Sequence, residues 1–169
     1  YSRFLLALSH LFKVTKKQVY KDGISKVVSY LMEHKHELGG IEEADNPDPE
    51  RSGKEDTGVF IHNGEGIGDQ LYTNNFLLMN SFEAWKATED NQCLELHQGL
   101  LTYITHIQIQ SNNKQFHGGW MRSYDMNRCE YYGNNGDTGW GAYCIESGWT
   151  NAIITSGLLM SQLNLSLLE

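Results

Sequence analysis

The chain has 169 residues, 40% of them hydrophobic and 20% charged, which is the composition of globular material with enough length for one core. A formal net charge of -8 and the lack of clustered Lys and Arg argue against a nucleic-acid partner, which would be gripped through its phosphates. No apolar run reaches the ~18 residues that a membrane span needs, so no membrane partner is expected either.

The sequence opens at Tyr1 inside an apolar-periodic segment, with no Met or charged leader, and reads as a piece of something longer. Phe4, Leu5, Leu8, Leu11 and Phe12 fall at helical spacing, as do Tyr20, Ile24, Val27, Val28 and Leu31. Two helices are predicted. The lysines at 13, 16, 17 and 21 read as a solvated face. After Gly39-Gly40 comes a polar stretch of about thirty residues that holds both prolines and reads as a long loop. Helical spacing resumes at Leu71, Phe76, Leu78, Met79, Phe82 and Trp85, breaks at "TEDN", and resumes at Cys93, Leu96, Leu100, Leu101, Ile104 and Ile107. That pattern is an αα-hairpin. A second long loop runs from Ser111 to about Gly148 and contains, at most, a short hairpin in "FHGGWMRSYDM". Trp149, Ala152, Ile153, Ser156, Leu159, Met160 and Leu163 then mark a fifth helix, with Ser147 or Thr150 available to cap it.

A hairpin of two similar helices returns the chain to the end where it began, so the loops 38–69 and 111–148 are expected on one face. Loops of that length in compact domains are usually functional or disordered, and the second is too rich in aromatics for disorder. Sugars present apolar C–H faces edged by hydroxyls, and a site for them needs flat rings with fixed polar partners. Trp120, Trp140 and Trp149 are the candidate platforms, Arg122, Asn134 and Asn135 the candidate polar partners, and Tyr124 a further substrate-binding candidate. Glycosidic hydrolysis normally needs two carboxyl groups, and Asp69, Asp125, Asp137 and Glu146 are the candidates, with Glu130 in reserve.

The strings "GEGIGDQLYTNNFLLMNSFEAW", "GGWMRSYD" and "YYGNNGDTGWGAYCIESGWT" resemble uncharacterised bacterial proteins of the six-hairpin glycosidase superfamily. The resemblance covers about residues 64 to 160. It implies an all-α fold in which paired αα-hairpins form part of an (α/α)6 toroid, with residues 1–169 as one helical domain and the rest of the toroid outside this chain. It also implies glycan-processing activity on a carbohydrate substrate, with no cofactor. A periplasmic or secreted location is favoured. No catalytic role transfers residue by residue.

Each candidate also has a plain structural reading. Asp69, just before a helix, reads equally as an N-cap, and Asp125 reads more readily as an ion-pair partner of Arg122 or Arg128. Asp137 in "GNNGDTG" suits a turn better than a calcium site, for which it supplies too few oxygens. Glu146 among aromatics is the candidate acid. His62 and His117 border glycine-containing loops, whereas His10, His34, His36, His97 and His106 read as helix-surface residues. Cys129 and Cys144 could pair, though free thiols are favoured, and no metal spacing is present. Three functions stay open: a glycoside hydrolase, a non-catalytic carbohydrate-binding remnant, and an epimerase or lyase relying on His62, His117 or tyrosine.

Overall fold

The computed structural model describes residues 2–42, 67–132, 143–145 and 147–167. Within them are the five expected helices: α1 (Ser2–Thr15), α2 (Gln18–Glu33), α3 (Asn74–Thr88), α4 (Asn91–His106) and α5 (Ala152–Leu163). The protein is mostly helical. Among the described residues there are also three short strands, β1 (Ile67–Asp69), β2 (Ser123–Asp125) and β3 (Glu130–Tyr131), in one antiparallel sheet ordered β1-β2-β3.

The helices form two layers. Arg3 lies over the Phe76 ring and His10 meets Glu83, so α1 runs parallel to α3. Asn75 binds the Trp149 carbonyl, while Lys86 reaches Asn164, so α5 runs parallel to α3 as well. The row α1–α3–α5 is therefore parallel, with α3 in the middle. The return helices α2 and α4 pack behind it.

Tight turns set this alternation. Lys16 and Glu89 adopt left-handed backbone, ending α1 and α3, and the Asp90 side chain accepts from Gln92 N at 2.8 Å to start α4. Ten of the fifteen residues of α3 are buried, which a one-sided amphipathic stripe could not achieve. Several of its buried polar groups are paired: Asn74 clamps Ile41 through both amide atoms, and Glu83 accepts from Ser166 Oγ and Leu167 N.

Three expectations need correction. Helical spacing suggested that the third helix reaches back to Leu71, but Leu71 lies in a turn, because Asp69 captures the backbone N–H groups of Leu71 and Tyr72. The expected hairpin in "FHGGWMRSYDM" lies further on, with Met126–Cys129 as its turn and β3 as its second arm. His97 is not on a helix surface. It is buried, and joins Leu78 O on α3 (3.0 Å) to Ser161 Oγ on α5 (2.9 Å).

Candidate functional site

The described ends of the two long connections are hydrogen-bonded to each other. Strand β1 ends the first and β2 lies in the second, with Ile67 opposite Asp125 and Asp69 opposite Ser123. Residues facing each other across an antiparallel pair point to the same side, so Asp69 and Asp125 share one face of the sheet as diagonal neighbours, roughly 7–8 Å apart. The other face, Gly68, Tyr124 and Tyr131, packs on the core. Gly68 is required there, since a Cβ would lie 2.5 Å from the Tyr103 hydroxyl.

Asp69 is 2% exposed. Its Oδ1 accepts from Leu71 N at 3.0 Å and its Oδ2 from Tyr72 N at 2.7 Å, with Arg122 Nε 3.8 Å from Oδ1. A carboxylate at the end of a strand thus shapes the turn that aims Tyr72 outward. Next door, Asn75 donates to Leu71 O (2.7 Å) and Trp149 O (2.8 Å), tying the turn before α3 to the single π-helical turn Ser147–Asn151 that precedes α5.

The consequence is an aromatic surface. Tyr72 is 48% and Trp149 50% exposed, and their ring centroids are 6.5 Å apart in an edge-to-face arrangement. The Arg122 guanidinium carbon is 5.9 Å from the Tyr72 ring centre, within cation–π range. Two half-exposed rings, a guanidinium and a buried carboxylate thus form one continuous cluster. Its chemistry is stacking and hydrogen bonding.

The other candidates are placed differently. Trp120 is 4% exposed, and its indole N–H donates to Ile104 O at 2.7 Å, so its ring serves the core and offers no open platform. Asn151 fixes its backbone from both sides, accepting from Trp120 N (2.8 Å) and donating to Trp120 O (3.0 Å). Tyr124 is buried between Tyr103 and Tyr131 in edge-to-face contacts. Burial pushes the hydroxyls of Tyr103 and Tyr131 well above the ordinary tyrosine range. These phenols keep their protons. Asp125 accepts from Asn127 N and Arg128 N through Oδ1 and pairs with Arg128, whose Nε is 3.7 Å from Oδ2, so its arginine partner is Arg128 and it shapes the hairpin turn. Glu130 is exposed opposite Asp125. Asn134, Asn135, Asp137, Trp140, Glu146 and His62 lie outside the described residues. His117 accepts from Ser111 N within its own loop.

Sequence reasoning missed Tyr72. It sits at helical spacing with Phe76, which disguised a turn residue, and only the Asp-x-x-Tyr turn capped by Asp69 distinguishes it.

Comparison with protein-family models, curated proteins and solved structures finds no match to this chain.

Proposed function

We propose that the chain contributes a carbohydrate site to a glycan-processing, glycoside hydrolase-like protein built on helical hairpins. The observation that carries this reading is the half-exposed Tyr72–Trp149 pair, held in place by buried Asp69 and Asn75 with Arg122 beside it. Sugar rings stack on such faces, and the guanidinium offers donors to hydroxyl or carboxylate oxygens at their edge. The parallel row α1–α3–α5 backed by α2 and α4 is the arrangement that consecutive hairpins of an (α/α)6 toroid would adopt. The resemblance of "GWGAYCIESGWT" and its neighbours to that superfamily supports the same reading.

Within this reading Asp69 and Asp125 are positioning residues, because the oxygens of each are engaged by backbone N–H groups and an arginine. Asp137 and Glu146 then become the acid/base candidates. The second reading, a binding module without catalysis, is favoured by that same engagement of Asp69 and Asp125. Amide variants separate the two. In the hydrolase, Asp137→Asn or Glu146→Gln lowers turnover on a cleaved oligosaccharide about 10²–10⁴-fold without lowering the melting temperature. A protein that binds but cleaves none of the neutral or acidic oligosaccharides it retains is the binding module.

A further inference from the structure

Tyr72 and Trp149 lie at the ends of the two long connections, and one buried side chain grips the backbone beside the first ring and that of the second. Asn75 is 0% exposed; its Nδ2 donates to Leu71 O at 2.7 Å and to Trp149 O at 2.8 Å, while its Oδ1 accepts from Phe76 N at 2.7 Å. The amide cannot flip, because both carbonyls need its donor end. Trp149 lies in the π-helical turn Ser147–Asn151, whose backbone bonds span five residues instead of the four of α5. The wider register is unfavourable for its own Thr150. Within α5, Thr155 donates to Asn151 O (2.7 Å) and Ser156 to Ala152 O (2.9 Å), each four residues back. Thr150, in the wide turn, is 0% exposed, and its hydroxyl has no partner among the described residues. A buried hydroxyl left unpaired destabilises, and winding the turn to the α register would offer it the carbonyl four residues back, as Thr155 and Ser156 have.

We propose that Asn75 is the positioning residue of the aromatic site: its amide holds the turn in the wide register that Thr150 disfavours, and so keeps Trp149 beside Tyr72. The carbonyl that Asn75 grips is that of Trp149 itself, so register and ring are set together. Winding the turn to four-residue bonds carries Trp149 round the axis of α5, and the edge-to-face contact at 6.5 Å is lost. The far end of the turn is fixed independently, because the Asn151 side chain binds both N and O of Trp120. Asn75 thus decides where the near end goes. Its role in glycan binding rests on the carbohydrate reading above, whereas its hold on Trp149 stands without it.

Acrylamide quenching of Trp149, taken as the difference between each protein and its Trp149→Phe counterpart, reads the place of the ring without any ligand, and circular dichroism checks folding. Asn75→Leu keeps the volume and removes the donors. It is expected to raise the Trp149 quenching constant, toward about twofold for a ring that starts 50% exposed. A folded Asn75→Leu protein in which that constant is unchanged or lower overturns the proposal. Thr150→Val keeps the test decisive where Asn75→Leu does not fold. It is expected to raise the melting temperature by roughly 2–4 °C and leave Trp149 quenching as in the wild type, because it removes only the hydroxyl that opposes the wide register. A melting temperature that does not rise overturns the proposal. Titration with oligosaccharides then separates the two claims. Affinity should fall at least about tenfold in Asn75→Leu, and an unchanged affinity overturns the positioning role. A wild type that binds no glycan contradicts the carbohydrate reading, and the quenching result still decides the hold of Asn75 on Trp149.

Discussion

Arg122 and Asp69 come from the two long connections, 53 positions apart in the sequence, and meet with Nε 3.8 Å from Oδ1 over a carboxylate that is 2% exposed. This contact links the strand pair to the exposed aromatics, since Asp69 also binds Tyr72 N and Arg122 lies over the Tyr72 ring. Replacing Arg122 by Ala leaves a buried carboxylate with fewer donors and is expected to destabilise by roughly 2–3 kcal/mol. Asp69→Asn keeps the shape and one acceptor, and is expected to lose less. Urea denaturation of the two variants ranks them. A larger loss for Asp69→Asn would show that the carboxylate matters for its backbone bonds more than for the arginine.

His97 predicts a pH dependence. Burial drives its pKa down to about 4 from an ordinary 6.5, against the opposing effect of its bond to Leu78 O. The unfolded chain therefore binds this proton more readily than the fold does. Stability is fully present above the unfolded value and is lost as pH falls through the window between 6.5 and about 4, by about 2–3 kcal/mol near its acid end. Thermal melts of the wild type and His97→Gln between pH 7 and pH 4.5 are the check. The variant should be less stable at pH 7, yet lose less on acidification.

Two left-handed glycines should respond differently to Ala. At Gly39 (φ 95°) a Cβ would lie 2.2 Å from the Gly99 carbonyl oxygen, a backbone atom that cannot move aside. At Gly118 (φ 81°) the nearest atom is the Gln108 side-chain nitrogen at 4.0 Å. Gly118→Ala is expected to lose about 1 kcal/mol from backbone strain alone, and Gly39→Ala several times that or all folding. Equal melting temperatures would contradict the close approach of residues 39 and 99.

Thiol chemistry tests the cysteine assignment. Cys93 is buried, which pushes its pKa to about 11, while Cys129 is exposed and Cys144 partly so; all three are free. Alkylation at neutral pH should label Cys129 and Cys144 in the native protein and add Cys93 only in denaturant. Labelling of Cys129 and Cys144 only after reduction would reveal a disulfide between them.

Helical periodicity made all five helices legible, because each keeps apolar residues at 3.6-residue spacing on at least one face. The same rule hid the start of α3. Leu71 continues the period into a turn that Asp69 shapes with its side chain, and periodicity cannot register a side-chain bond. Strand β1 was hidden because "IGD" has three residues, one of them the glycine that makes room for Tyr103. The shared face of the long connections followed from hairpin topology, and the pairing of Asp69 with Ser123 agrees with it. Exposure was not legible. Trp120 and Trp149 look equally suited as platforms, but one is pinned by Asn151 and Ile104 into the core and the other is carried outward by a π-helical turn. His97 was read as surface because a histidine among leucines carries no mark of the helix that will cover it.

Tyr72 and Trp149 are proposed as a carbohydrate-binding face. Tryptophan fluorescence during titration with neutral and uronic-acid oligosaccharides tests it most directly, because Trp149 is half-exposed while Trp120 is buried. Saturable quenching or a blue shift is expected with at least one glycan class. That signal should vanish in Trp149→Phe, weaken at least about tenfold in affinity in Tyr72→Ala, and persist in Trp85→Phe. No change with any glycan in a folded sample, or a response that survives unaltered in Trp149→Phe, would show that Tyr72 and Trp149 are not a carbohydrate-binding face.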